Sequence, residues 1–181
     1  MSAKRVSRAP GEPSPHQEPT EIRRTLARNL RQAREAAGLS HHALAKAALY
    51  DRRLLIDIED NAANTTLDTI ARLAKLLGLA EIDLLLPNMG NGTAKRGSLA
   101  PGEPLSKTEP TELRRRFARN LRQAREAAGL PQRVLARAAA ISLSGVWHIE
   151  VNAPNVTLDT ITGLAKQLGC TEIDLLRPKD P

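Results

Sequence analysis

Apolar residues recur every three or four positions near the start of the chain. Ile22, Leu26, Leu30, Ala33 and Ala37 fall on one stripe, the spacing of an amphipathic helix. Thr20 is its N-cap and Gly38 its stop, where a left-handed backbone ends a helix. A second helix opens at Ser40 and turns Leu44 and Ala45 inward. A third is capped by Asp51 and buries Leu55 and Ile58. After a polar loop at 61–65, Thr66 caps a fourth helix with Leu67, Ile70, Leu73, Ala74 and Leu77 inside, closed by Gly78. A short fifth helix holds Ile82 and Leu85. No stretch alternates with period two long enough to be a strand.

The same pattern then returns. Residues 19–87 align with 110–178 at a constant offset of 91, without a gap, and about three positions in five are identical. Both copies read ARNLRQAREAAGL, at 27–39 and 118–130. The flanks repeat as well: SAKRVSRAPGEP precedes copy one and TAKRGSLAPGEP precedes copy two. Copy two has its own stripe (Leu113, Phe117, Leu121, Ala124, Ala128), the cap Ser142, and inward Val146 and Ile149. The flanks are rich in Gly, Pro, Ser and Lys and have little apolar surface to bury. Residues 1–18 therefore read as a disordered tail and 88–109 as a flexible linker. The domains are 19–87 and 110–178, two beads on a string, in direct or inverted order. The fold class is all-α, two tandem five-helix units.

Composition narrows the function. The chain has 181 residues, a net charge of +7 and 2% aromatic residues. A basic balance favours polyanions, nucleic acid first. The four histidines and Cys170 show no metal-ligand spacing, and one thiol makes no internal disulfide. No metal or other cofactor is expected. The first 19 residues lack the apolar core of a signal peptide, so the chain reads as soluble and cytoplasmic, with no membrane partner. There is no Gly-rich phosphate loop, nucleophile elbow or clustered acid–base set, which argues against an enzyme.

The order LRQAREAAGLS, then L-A, a short capped helix ending I-E, TLDTIARLAKLLG and EIDLL resembles the phage-repressor/Cro-type helix-turn-helix domain, a lambda-repressor-like fold. The resemblance covers both copies. It implies double-stranded DNA as partner, the second helix across the backbone and the third in the major groove. Carried over, the DNA-facing residues are His41, Arg52, Arg53 and Asp57 in copy one. In copy two they are Gln132, Leu143, Ser144 and His148. The resemblance also pairs Arg34 with Glu59 and Arg125 with Glu150, as structural ion pairs.

Departures from the family are local. Leu49 and Ala140 stand where the family usually has Gly, and Leu resists a left-handed backbone. The loops 60–65 and 151–156 lack the family's basic residues, and the third helix of copy two has no Lys or Arg. Arg24, Arg28 and Arg31, with Arg115, Arg119 and Arg122, read as a solvated polar face. Cys170 aligns with Leu79 and reads as buried and apolar. Ile56 and Trp147 are aligned, apolar and on the outer side of the third helix, a candidate surface for a protein partner or self-association. Two functions follow: a sequence-specific transcriptional regulator, or a protein-interaction module of antitoxin-like or co-regulator type.

Overall fold

The computed structural model describes residues 18–61, 63–88 and 109–178. The tail at 1–17 and the linker at 89–108 lie outside the described residues. Copy one comprises α1 (Glu21–Ala36), α2 (His41–Ala48), α3 (Arg52–Glu59) and α4 (Leu67–Leu77). Copy two comprises α5 (Glu112–Ala127), α6 (Gln132–Ala138), α7 (Leu143–Asn152), α8 (Leu158–Leu168) and α9 (Glu172–Leu176). The described residues are all-helical and form two units.

The apolar stripes pack as their spacing dictates. Leu26, Leu30, Leu44, Leu55, Leu67, Ile70, Leu73 and Leu77 are buried, and so are Phe117, Leu121, Leu135, Val146, Leu158, Ile161 and Leu164. Phe117 fills the place of Leu26. Asn29 and Asn120, which carry no apolar signal, are buried too. Asn29 donates to the carbonyls of Leu84 and Leu86, and Asn120 to those of Leu175 and Arg177. Each ties the first helix to the last segment of its own copy.

That last segment differs between the copies. In copy two, Thr171 and Asp174 form a reciprocal capping box and α9 follows. In copy one the aligned residues are Ala80 and Asp83. Asp83 still accepts from the Ala80 N–H, but Ala80 has no hydroxyl to return the bond. Residues 81–85 remain a run of turns, so the fifth helix expected there does not form. Leu84 and Leu85 are nevertheless buried.

The two copies are packed together rather than hanging as separate beads. α1 packs on α8, and α4 on α5. Arg23 pairs with Asp159 at 3.2 Å, and Arg114, its repeat mate, with Asp68 at 3.1 Å. Thr66 and Thr157 face each other as an antiparallel bridge. The Leu67 N–H donates to the Val156 carbonyl and the Leu158 N–H to that of Thr65. The Asp68 N–H donates to Asn155 Oδ1 at 3.1 Å, and the Asp159 N–H to Asn64 Oδ1 at 3.2 Å.

These bonds revise the capping of α4 and α8. Thr66 and Thr157 stand at the N-cap positions, but neither side chain makes a cap bond. The first N–H groups of a helix lack intrahelical partners; here the opposite copy satisfies two of them at each helix. Among the described residues no single helix is long and apolar enough to cross a membrane.

Candidate nucleic-acid interface

A bidentate ion pair holds each third helix. Arg34, on α1, donates from Nε to Glu59 Oε1 at 2.7 Å and from Nη2 to Oε2 at 2.8 Å, and its Nη1 reaches the Leu39 carbonyl. Arg125 repeats this with Glu150 at 2.6 and 3.0 Å and with the Leu130 carbonyl. One guanidinium thus joins the first helix, the turn after it and the end of the third. The Glu59 side chain is 1% exposed. Burial pushes its carboxyl up, but the bonds and charges of Arg34 and His41 prevail and hold it below the usual range. The Glu59 bond raises Arg34 in turn.

His41 and Gln132 stand at the start of the second helix, as the resemblance places them, and their ends turn to the same carboxylates. His41 Nε2 lies 3.0 Å from Glu59 Oε2, and Gln132 Nε2 donates to Glu150 Oε2 at 2.7 Å. Arg31, read as solvated, also binds Glu59 and Asp60. Arg28 donates to the Pro87 carbonyl, while Arg119 and Arg122 pair with Glu112 and Glu126. Much of the polar face of the first helix is therefore engaged within the protein.

The third helices present different faces. Asp51 accepts from the Arg53 N–H and caps α3. Arg52 and Arg53 project from its exposed first turn. Arg53 pairs with Asp57 one turn on at 2.8 Å, while its own side chain stays 78% exposed. In copy two, Ser142 caps α7 through the Gly145 N–H. Leu143, Trp147 and Val151 are exposed at 53%, 46% and 56%, one turn apart along one face. His148 lies on the same exposed helix, its Nδ1 against Asn152 and its ring edge-on to Trp147. Ser144 is exposed with its hydroxyl against Ser142. Ile56 is half-buried, as is Cys170, which falls short of the full burial expected.

The turn between second and third helices takes the backbone that the family's glycine would take. Leu49 has φ 56° and Ala140 φ 54°, left-handed conformations that cost a side-chain-bearing residue about 1–2 kcal/mol. In copy one, Arg72 donates to the Ala48 carbonyl and lies over the Tyr50 ring. Copy two has Gly163 and Ile141 at these positions.

A helix-turn-helix domain family matches residues 25–85 and again 116–177. The chain belongs to this family. The two matches cover more than half of it, and each spans the ion pair, the left-handed turn and the third helix just described. No curated protein and no solved structure matches. Helix-turn-helix domains are DNA-binding units, so DNA is the partner the family implies, and no catalytic domain is among the matches. Sequence reasoning missed the residues between the helix-turn-helix units: Arg23, Arg114, Asp68, Asp159, Asn64 and Asn155. Their one signal was identity between the copies, shared with many residues whose role is packing. The loops that lack the family's basic residues supply part of this contact.

Proposed function

We propose that the chain is a sequence-specific, DNA-binding transcriptional regulator acting in the cytoplasm, with α3 reading the major groove. The observation that carries this is the exposed Arg52–Arg53 pair at the capped N-terminus of α3. Arginine binds guanine bidentately and contributes about 1–3 kcal/mol of discrimination. Asp57 orients Arg53 through their ion pair. His41 touches the backbone from the start of α2, Gln132 does so from α6, and Leu143, Ser144 and His148 meet bases through apolar and polar contacts. Arg34–Glu59 and Arg125–Glu150 position these helices without touching DNA. Replacing Arg52 and Arg53 together by Ala should weaken binding about tenfold or more and relax the selected sequence, read by selection from random duplexes at fixed salt. Log affinity of the intact chain should also fall linearly with log salt, from counterion release. A double variant with unchanged affinity and preference removes α3 from the reading surface.

A second reading applies to copy two. Its outward stripe of Leu143, Trp147 and Val151 is the kind of exposed apolar patch that marks protein contacts, and it suits a protein partner or self-association. Ile56, half-buried, offers less of such a surface in copy one. A full chain with Trp147→Ala that loses a protein partner but keeps its DNA site would favour this reading for that half.

A further inference from the structure

We infer that the chain is its own dimer: the two copies dock within one molecule about a pseudo-two-fold axis, and the DNA it reads is one inverted site with two unlike halves.

The contacts between the copies are reciprocal. Arg23 meets Asp159 and Arg114 meets Asp68; Asn155 caps α4 and Asn64 caps α8. Each contact occurs twice with the copies' roles exchanged. Only a two-fold relation does this, because in a head-to-tail arrangement one patch meets a different one. The contact also completes each unit. N–H groups of Leu67, Asp68, Leu158 and Asp159 are satisfied by the other copy, and undocking leaves them to water. Asp68 Oδ1 accepts from the Thr111 hydroxyl, whereas the matching atoms of Asp159 and Thr20 are buried without partners. The ion pairs and the helix-capping N–H bonds keep the two-fold, and the departures from it are single side-chain bonds: this one, and Asn155 Nδ2 donating to Thr66 Oγ1 at 3.2 Å.

The consequence for DNA follows from the symmetry and rests on the function proposed above. Two reading helices related by a two-fold meet the strands in opposite directions, so the half-sites are inverted. The residues at the start of α3 are Arg52 and Arg53, and those of α7 are Leu143 and Ser144, so the halves differ in sequence. A homodimer of identical subunits reads identical halves; a docked duplicate reads an asymmetric pair as a single chain.

The test uses the full chain with Cys170→Ser, Thr66→Cys and Thr157→Cys. The Leu67–Val156 and Leu158–Thr65 bonds flank the Thr66–Thr157 pair, which makes it a non-hydrogen-bonded antiparallel pair with Cα atoms about 4.5 Å apart, within disulfide range. Mild oxidation of dilute protein should give a disulfide inside one chain. The oxidised chain should bind a selected inverted, unlike-halved duplex within about twofold of the reduced chain. In the unaltered protein, amide exchange should show the Asp68 and Asp159 N–H groups protected. Disulfides only between chains, or none together with fast exchange at those amides, overturn the docking. Selection of direct repeats, or loss of DNA by the oxidised form alone, overturns the inverted site. A disulfide within the chain with no duplex bound by either form supports the docking and overturns the function on which the DNA half rests.

Discussion

Copy one and copy two keep the same framework and differ at the face the framework displays. Thirteen consecutive residues of the first helix and its turn are identical, whereas between 49 and 60 only Ile58 and Glu59 match their counterparts. Both matched residues are buried and hold α3 in place. The remaining positions turn a charged helix start, Arg52 and Arg53, into an apolar and hydroxylic one, Leu143 and Ser144. Packing constrains volume and ion pairing inside, while an exposed helix face tolerates almost any side chain. Placement of the third helix and the chemistry it offers are thus separable properties of one fold.

The largest effect should come from the part the copies share. Glu59→Ala leaves Arg34 buried without its carboxylate, and breaking such a pair costs about 3–5 kcal/mol. Glu150→Ala should cost less, because Glu59 binds two guanidinium groups, those of Arg34 and Arg31, whereas Glu150 binds that of Arg125 and the neutral amide of Gln132. Denaturation followed by Trp147, the single tryptophan, reports copy two, and helical signal reports both. Equal losses would erase the distinction. Acid sharpens it. The Glu59 pKa is lowered on folding, so the unfolded chain binds the proton more readily and stability rises with pH through this range. The contribution is complete above the ordinary Glu value, about 4.3, and is lost as pH falls through the depressed folded value. Glu59→Gln should remove this acid-dependent loss.

Next comes the part they do not share. Giving copy two the start of α3, Leu143→Arg with Ser144→Arg, should raise DNA affinity and steepen its salt dependence by about one unit for each new phosphate contact. It should also move the preference of copy two toward that of copy one. An unchanged salt slope would show that α7 faces away from DNA.

Smaller effects test local differences. Ala80→Thr supplies the hydroxyl that caps α9 in copy two, and should stabilise copy one by about 1 kcal/mol with a gain of helix at 81–85. Leu49→Gly relieves a left-handed leucine whose side chain is already 57% exposed. After the added chain entropy of glycine, the gain should be under about 1 kcal/mol. A fall in melting temperature would show that Leu49 packs more than its exposure indicates.

Much of each unit was legible along the chain. Thr20, Ser40, Asp51 and Ser142 head their helices, the glycines at 38, 78, 129 and 169 are left-handed, and the stripe residues at the centres of the helices are buried. Family resemblance added the two arginine–glutamate pairs, which lie 25 residues apart in sequence. In copy one the Ile82 and Leu85 spacing predicts a fifth helix that does not form, because the spacing survives where the capping hydroxyl does not. His41 and Gln132 were legible as the start of the second helix, but not as partners of a buried carboxylate.

Periodicity and capping act within one or two turns, so the sequence by itself determined the helices, their ends and the duplication. The left-handed backbone at Leu49 lies outside that reach: its own preference runs against the conformation, and packing of α2 against α3 overrides it. The relation between copies lies further still. Asn64 and the Asp159 N–H are 95 residues apart, and nothing local to either reveals that the other is its partner. Only the tertiary structure decided that the caps of α4 and α8 come from the opposite copy, because an orphan N–H is satisfied by whichever acceptor the fold carries to it.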